Sequence, residues 1–240
     1  DDWRYLLPLE PGKGMLATQI EALRLIGEGV GGSVPYIATI FSPLSQAKHL
    51  AGDPVMLSHM RSHPEAFHQG LETITESTLR FIEAAKTAGI AGIFLAVQHA
   101  RYPLLSRTEF QEFGRAYDWR ILTAVNDLWC NMVHLHGSDV MFDLVADYPA
   151  QFLNWHDRET GISLEQGLAQ IPGAASGGVD QWTLHQDSSF GALAEAEDAL
   201  NQTNGRRLLL GTGCVIMVTT PTQNIRALRE AASALTGSNG

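Results

Sequence analysis

The chain has 240 residues, 45% of them hydrophobic, which is enough for one substantial core. Its formal net charge is −10, and its 16 Lys and Arg residues form no basic run, which argues against a nucleic-acid surface. No apolar stretch reaches the ~18 residues of a transmembrane helix, and two cysteines make no disulfide framework. Cys130 and Cys214 fit a reducing compartment, so a cytoplasmic protein is expected. The opening residues, DDWRYLLPLE, form no signal peptide and read like the middle of a longer chain.

In chain order, Leu16, Ile20, Leu23 and Ile26 make one stripe of a helix over 13–29. VPYIATIF, 34–41, reads as a buried strand. A long helix over 64–88 carries Phe67, Leu71, Ile74, Phe81 and Ala85, with Pro64 in its first turn, where a missing N–H costs little. AGIFLAV, 91–97, is the second strand. Ser106 and Glu109 have capping-box spacing before a stripe of Phe110, Phe113, Tyr117, Ile121 and Ala124. NMVHLH (131–136) and QFLNW (151–155) are strands. Ser163 and Gln166 repeat the capping box, and AASGGV (174–179) follows as a strand. HQDSSFGA, 185–192, is the most loop-like patch. RRLLLGT (206–212) is the last strand. Thr220 and Gln223 then cap a helix with Pro221 at its first position and Ile225, Leu228, Ala232 and Leu235 on its stripe.

Strands that alternate with helices mean a parallel α/β fold, because helical crossovers of this length force neighbouring strands to be parallel. No Gly-rich turn follows the first strand, which weighs against a dinucleotide-binding sheet. The chain reads as one domain over 1–240, and the choice is between an open doubly wound sheet and a TIM (β/α)8 barrel, which needs eight strands, so that two would precede Asp1. All strand C-terminal ends would then open on one mouth.

NMVHLHGSD, FLNWHDRETGISL, GAASGGVDQ and LLLGTGCVIMVTTPTQNIRALREA resemble the uroporphyrinogen decarboxylase superfamily, from about Leu16 to Leu235. The resemblance implies a TIM barrel and one of two chemistries. Decarboxylases of haem synthesis carry a histidine where Cys214 stands, counted back from Thr220-Pro221. Zinc-dependent methyltransferases, which move methyl groups from corrinoid proteins to thiols, carry a ligand cysteine there and a His-x-Cys after an earlier strand. That motif falls on His134-Leu135-His136, so His136 replaces the second-ligand cysteine.

The resemblance thus implies zinc held by His134, His136 and Cys214, with Cys214 and His134 as the catalytic residues. The donor chemistry agrees. His134 and His136 are two apart on a strand and share a face. Three nitrogen or sulfur ligands with a fourth position for a substrate thiol is a catalytic zinc pattern. By themselves, His-x-His also fits core histidines and a lone cysteine also fits a small buried hydrophobe.

Other strand-end residues are expected to meet a small-molecule substrate. They are Gln98 and His99, Asn154 and Asp157, Asp180, and Thr220, whose helix start would offer N–H groups to an anion. His156 or Asp157 would orient a ligand imidazole. The methyltransferase reading adds a corrinoid on a partner protein, and a homodimer is kept as an expectation. The other readings are a uroporphyrinogen decarboxylase and a non-catalytic or truncated family member.

Overall fold

The computed structural model describes residues 2–186 and 189–237, with side chains described through Glu230, Ala231, Ala232 and Ser233 in the last helix. The six strands are β1 (Ile37–Phe41), β2 (Gly92–Val97), β3 (Met132–Leu135), β4 (Phe152–Trp155), β5 (Ala174–Val179) and β6 (Leu208–Thr212). Their order in the sheet is their order in the sequence. A doubly wound sheet reverses its order at a switch point, and this one does not. Six consecutive parallel strands with helical crossovers are part of a (β/α)8 barrel, the plan that the family resemblance implies. No helix among the described residues is long and apolar enough to cross a membrane.

The chain divides into two compact units. The first comprises residues 1–133 and 148–150. In it β1 and β2 pair in parallel, Ile37 opposite Gly92 through Phe41 opposite Ala96. Gly92 has no side chain because the backbone of Cys130 and Asn131 lies where a Cβ would stand. Helix α1 (Gly14–Val30) forms as the stripe predicts, yet none of its residues is fully buried. Helices α2 (Pro43–Ala51) and α3 (Asp53–Ser62) escape the sequence reading. Pro43 and Pro54 look like breaks but stand in first turns, after the Ser42 cap and after Gly52 at φ 77°.

Helix α4 (Pro64–Thr87) buries the expected stripe. Phe67 and Leu71, both 0% exposed, are each worth roughly 1.5–3 kcal/mol of burial. The Ser106 capping box is present: Ser106 Oγ accepts from Glu109 N at 3.2 Å, and Glu109 Oε2 accepts from Ser106 N at 2.7 Å. It opens α5 (Arg107–Glu109), which runs through a π-helical segment (Phe110–Arg115) into α6 (Ala116–Ala124).

The second unit comprises residues 134–147 and 151–240. Here β4, β5 and β6 pair in parallel, Phe152 opposite Ala174 and Val179 opposite Thr212. The second capping box opens α7 (Leu164–Leu168), with Ser163 Oγ accepting from Gln166 N at 3.3 Å. Helix α8 (Gln181–His185) follows β5, capped by Asp180.

Much of the loop-like patch is helical: α8 ends at His185 and α9 (Ser189–Thr203) starts within it, while residues 187 and 188 lie outside the described set. Ala192, Ala196 and Ala199 of α9 are buried, and small side chains gave that face little hydrophobic signal. The last helix, α10 (Thr222–Gly237), starts one residue later than Pro221 at its first position would require. The Pro221 carbonyl accepts from Asn224 N at 2.9 Å, and the Thr220 hydroxyl lies 3.4 Å from His185 Nδ1. The side chain of Leu235, expected on the stripe, lies outside the described residues.

Candidate metal centre

Within the second unit, three strands end in groups with lone pairs. His134 is in β3 and His136 follows it directly. His156 follows β4, and Cys214 stands two residues after β6. One potential ligand atom from each of the four lies within 4.8 Å of the others. His134 Nε2 is 3.4 Å from His136 Nδ1. Cys214 Sγ is 3.8 Å from His134 Nε2 and 3.7 Å from His136 Nδ1. A tetrahedral ion with Zn–N near 2.0–2.1 Å and Zn–S near 2.3 Å sets edges of about 3.4 Å between nitrogens and about 3.6 Å from nitrogen to sulfur. Both kinds of edge are matched.

The proton positions on two rings are fixed from behind. His134 Nδ1 lies 2.5 Å from Asn154 Oδ1, which leaves Nε2 as the inward nitrogen. His156 Nδ1 lies 3.1 Å from Glu159 Oε2. Its Nε2 is buried and has no hydrogen-bond partner. A buried imidazole nitrogen without a partner is costly unless something accepts its lone pair. That nitrogen fits zinc, and so does a donor set of three imidazole nitrogens and one sulfur.

Electrostatics agrees with a donor set. Burial alone would push the Cys214 thiol up, but the surrounding imidazoles of His134, His136 and His156 favour the thiolate, outweigh burial and bring the pKa down to about 4. For His156, burial disfavours the charged ring, while Cys214 and Glu159 more than offset that and raise its pKa. Gly213 lets the Cys214 turn approach. A Cβ there would stand 2.9 Å from the Trp155 carbonyl oxygen and 3.1 Å from His156 Cα.

The structure therefore brings together His134, His136 and Cys214 and adds a fourth donor, His156, where three donors and an open position are expected. His156 stands inside the group, and Asn154 and Glu159 take the orienting role. Glu159 is missing from the sequence reading. Its signal is its place three residues after a strand-end histidine, and Gln181 Nε2 donates to it at 2.9 Å.

The residues expected to meet substrate are largely engaged within the protein. Asn154 is buried with both ends of its amide hydrogen-bonded. Asp157 is buried and accepts from Gly178 N at 3.1 Å. Asp180 Oδ1 caps α8 through Trp182 N and Thr183 N. Thr220 is buried beside His185. In the first unit, His99 is 1% exposed, with Asp53 Oδ1 at 2.9 Å and Ser45 Oγ at 3.4 Å from its two nitrogens. Gln98 keeps a buried Oε1 without a hydrogen-bond partner.

Parallel strands in sequence order, with chemical groups at their C-terminal ends, define the parallel α/β barrel class. The chain belongs to the uroporphyrinogen decarboxylase (URO-D) family, whose model matches residues 1–235. It is 26% identical over 214 residues to "Methylcobamide:CoM methyltransferase MtaA" of Methanosarcina barkeri, covering 87% of this chain and 61% of that protein. It is 28% identical over 134 residues to a "Uroporphyrinogen decarboxylase" of Syntrophotalea carbinolica, covering 53% and 38%. A solved methyltransferase from Methanosarcina mazei has the same fold, with a TM-score of 0.84 at 23% identity over 96% of this chain and 70% of that one. The chain thus spans 61% of the length of the MtaA relative.

Proposed function

We propose that the chain carries the metal site of a methyl-transfer enzyme in which zinc, a methylated corrinoid protein and a thiol-type acceptor meet. The observation that carries this reading is the convergence of His134 Nε2, His136 Nδ1 and Cys214 Sγ with near-tetrahedral edges, with a ligand atom of His156 within 4.8 Å of them. The methyltransferase relatives support the reaction class. Four protein donors fill a tetrahedral zinc, so an acceptor sulfur would have to displace one of them or enter as a fifth ligand, and the ion's positive charge would then favour its thiolate form near neutral pH.

The chain's own residues set the terms. Cys214 contributes a thiolate and so one negative charge. Asn154 Oδ1 and Glu159 Oε2 engage His134 Nδ1 and His156 Nδ1 and leave the opposite nitrogen of each ring facing the group. His136 supplies an imidazole where the resemblance expects a second thiolate. An acceptor sulfur in this setting would be more acidic and less electron-rich than beside two thiolates. The free cysteines fit a cytoplasmic enzyme.

Metal analysis of protein purified without chelators is the test. About one zinc per chain is expected, with its loss in Cys214→Ala and a large fall in methyl transfer to thiols. A protein without zinc whose activity is unchanged by Cys214→Ala would overturn the reading. Metal-independent turnover of a porphyrinogen would replace it with the decarboxylase.

A further inference from the structure

Asn154 does more than fill the end of β4. Its carboxamide is 4% exposed and meets three strands at once. Nδ2 donates to the Ser176 carbonyl at 2.8 Å and to the Thr212 carbonyl at 3.0 Å. Oδ1 meets His134 Nδ1 at 2.5 Å. The orientation of this amide is decided by chemistry. Two carbonyl oxygens can be satisfied only by an NH2 group, so the oxygen must face the histidine. An amide oxygen can only accept, so His134 Nδ1 must carry the proton. Its Nε2 then presents a lone pair to the side where His136 Nδ1 and Cys214 Sγ lie, 3.4 and 3.8 Å away. In free histidine the neutral ring prefers the proton on Nε2, the form that could not ligate from this position.

The same amide reaches the other end of the donor group. The Thr212 carbonyl that it holds belongs to the residue whose hydroxyl donates to the Cys214 carbonyl at 2.7 Å. One buried side chain thus fixes the ring of His134 and the backbone that delivers Cys214.

We infer that Asn154 is a positioning residue that locks His134 in the Nδ1–H tautomer and so pre-forms the donor group before any metal arrives. The affinity part of this inference rests on the proposed zinc reading. The tautomer part does not.

The test has two arms. In metal-free wild-type protein at about pH 8, the ring 15N resonances of His134 should show a protonated Nδ1. In Asn154→Leu they should shift toward the Nε2–H form, and zinc affinity, read by chelator competition, should fall about 10–100-fold. Asn154→Asp keeps the acceptor and loses both donors. It should restore the Nδ1–H tautomer and most of the affinity, while its melting temperature stays below that of wild type. A merely structural role would move affinity and melting temperature together and leave the tautomer alone.

A wild-type His134 protonated on Nε2 overturns the inference without any variant having to fold. So does an Asn154→Leu protein whose tautomer is unchanged or whose zinc affinity lies within about threefold of wild type, well short of the expected loss. If wild type binds no zinc while His134 carries its proton on Nδ1, the methyl-transfer reading fails and the tautomer lock stands.

Discussion

Asp118 on α6 is 1% exposed, and its Oδ1 has no hydrogen-bond partner. Burial drives its pKa up to about 7, against the Tyr148 hydroxyl, which donates to Oδ2 at 3.0 Å, and the charge of Arg115. The folded protein therefore holds this proton above pH 3.8, where the unfolded chain releases it. Stability is fully present below that value and falls as pH rises toward about 7, by up to about 1.4 kcal/mol per pH unit. Asp118→Asn keeps an acceptor for Tyr148 and removes the titration. Thermal unfolding at several pH values should show a midpoint that declines for wild type between about pH 4 and pH 7 and declines clearly less for the variant. Parallel profiles would contradict the assignment. The residue is invisible in sequence, because Asp-Trp-Arg inside an amphipathic pattern reads as a solvated turn of helix.

At the scale of elements, the legible parts are those in which local chemistry decides. Ser106 with Glu109 and Ser163 with Gln166 form the capping boxes that their spacing implies. His134, His136 and Cys214 fall at strand ends, as the alternation of apolar runs and caps places them. The fourth donor was equally readable in one respect: His156 follows β4 directly, as His136 follows β3. What sequence could not supply is how closely two strand ends approach, and that is set by glycine. Gly177 and Gly178 have φ of 154° and 108°, and a Cβ at Gly213 would press on the Trp155 carbonyl and on His156. Gly213→Ala should shift the Cys214 turn and weaken zinc binding about tenfold or more, with a stability loss of roughly 1–3 kcal/mol. Chelator competition and a denaturant melt measure the two effects. Unchanged affinity would mean that the turn yields without moving Sγ. Elements built on small side chains, such as α9 with its buried alanines, lie below the threshold of any hydrophobic pattern.

At the scale of the whole molecule, alternation implies consecutive parallel strands, because a crossover helix leaves no other way to pair them, and the family resemblance adds the barrel. All four donors belong to the second unit. Zinc should therefore slow amide hydrogen exchange around β3, β4 and the turn after β6, and leave β1, β2 and α4 unchanged. At about 100 times Kd the expected gain in stability is about 2.7 kcal/mol. Protection spread evenly over both units would mean that the ion binds elsewhere or unfolding is all-or-none. The distance in sequence between donors also sets a clock. His134 leaves the ribosome 80 residues before Cys214. At ~5–20 residues per second the two early histidines wait roughly 4–16 s for their thiolate partner. Of the four candidate donors a nascent chain carries only the imidazoles until β6 has emerged, so a metal held by all four would be captured tightly only after translation has passed that strand.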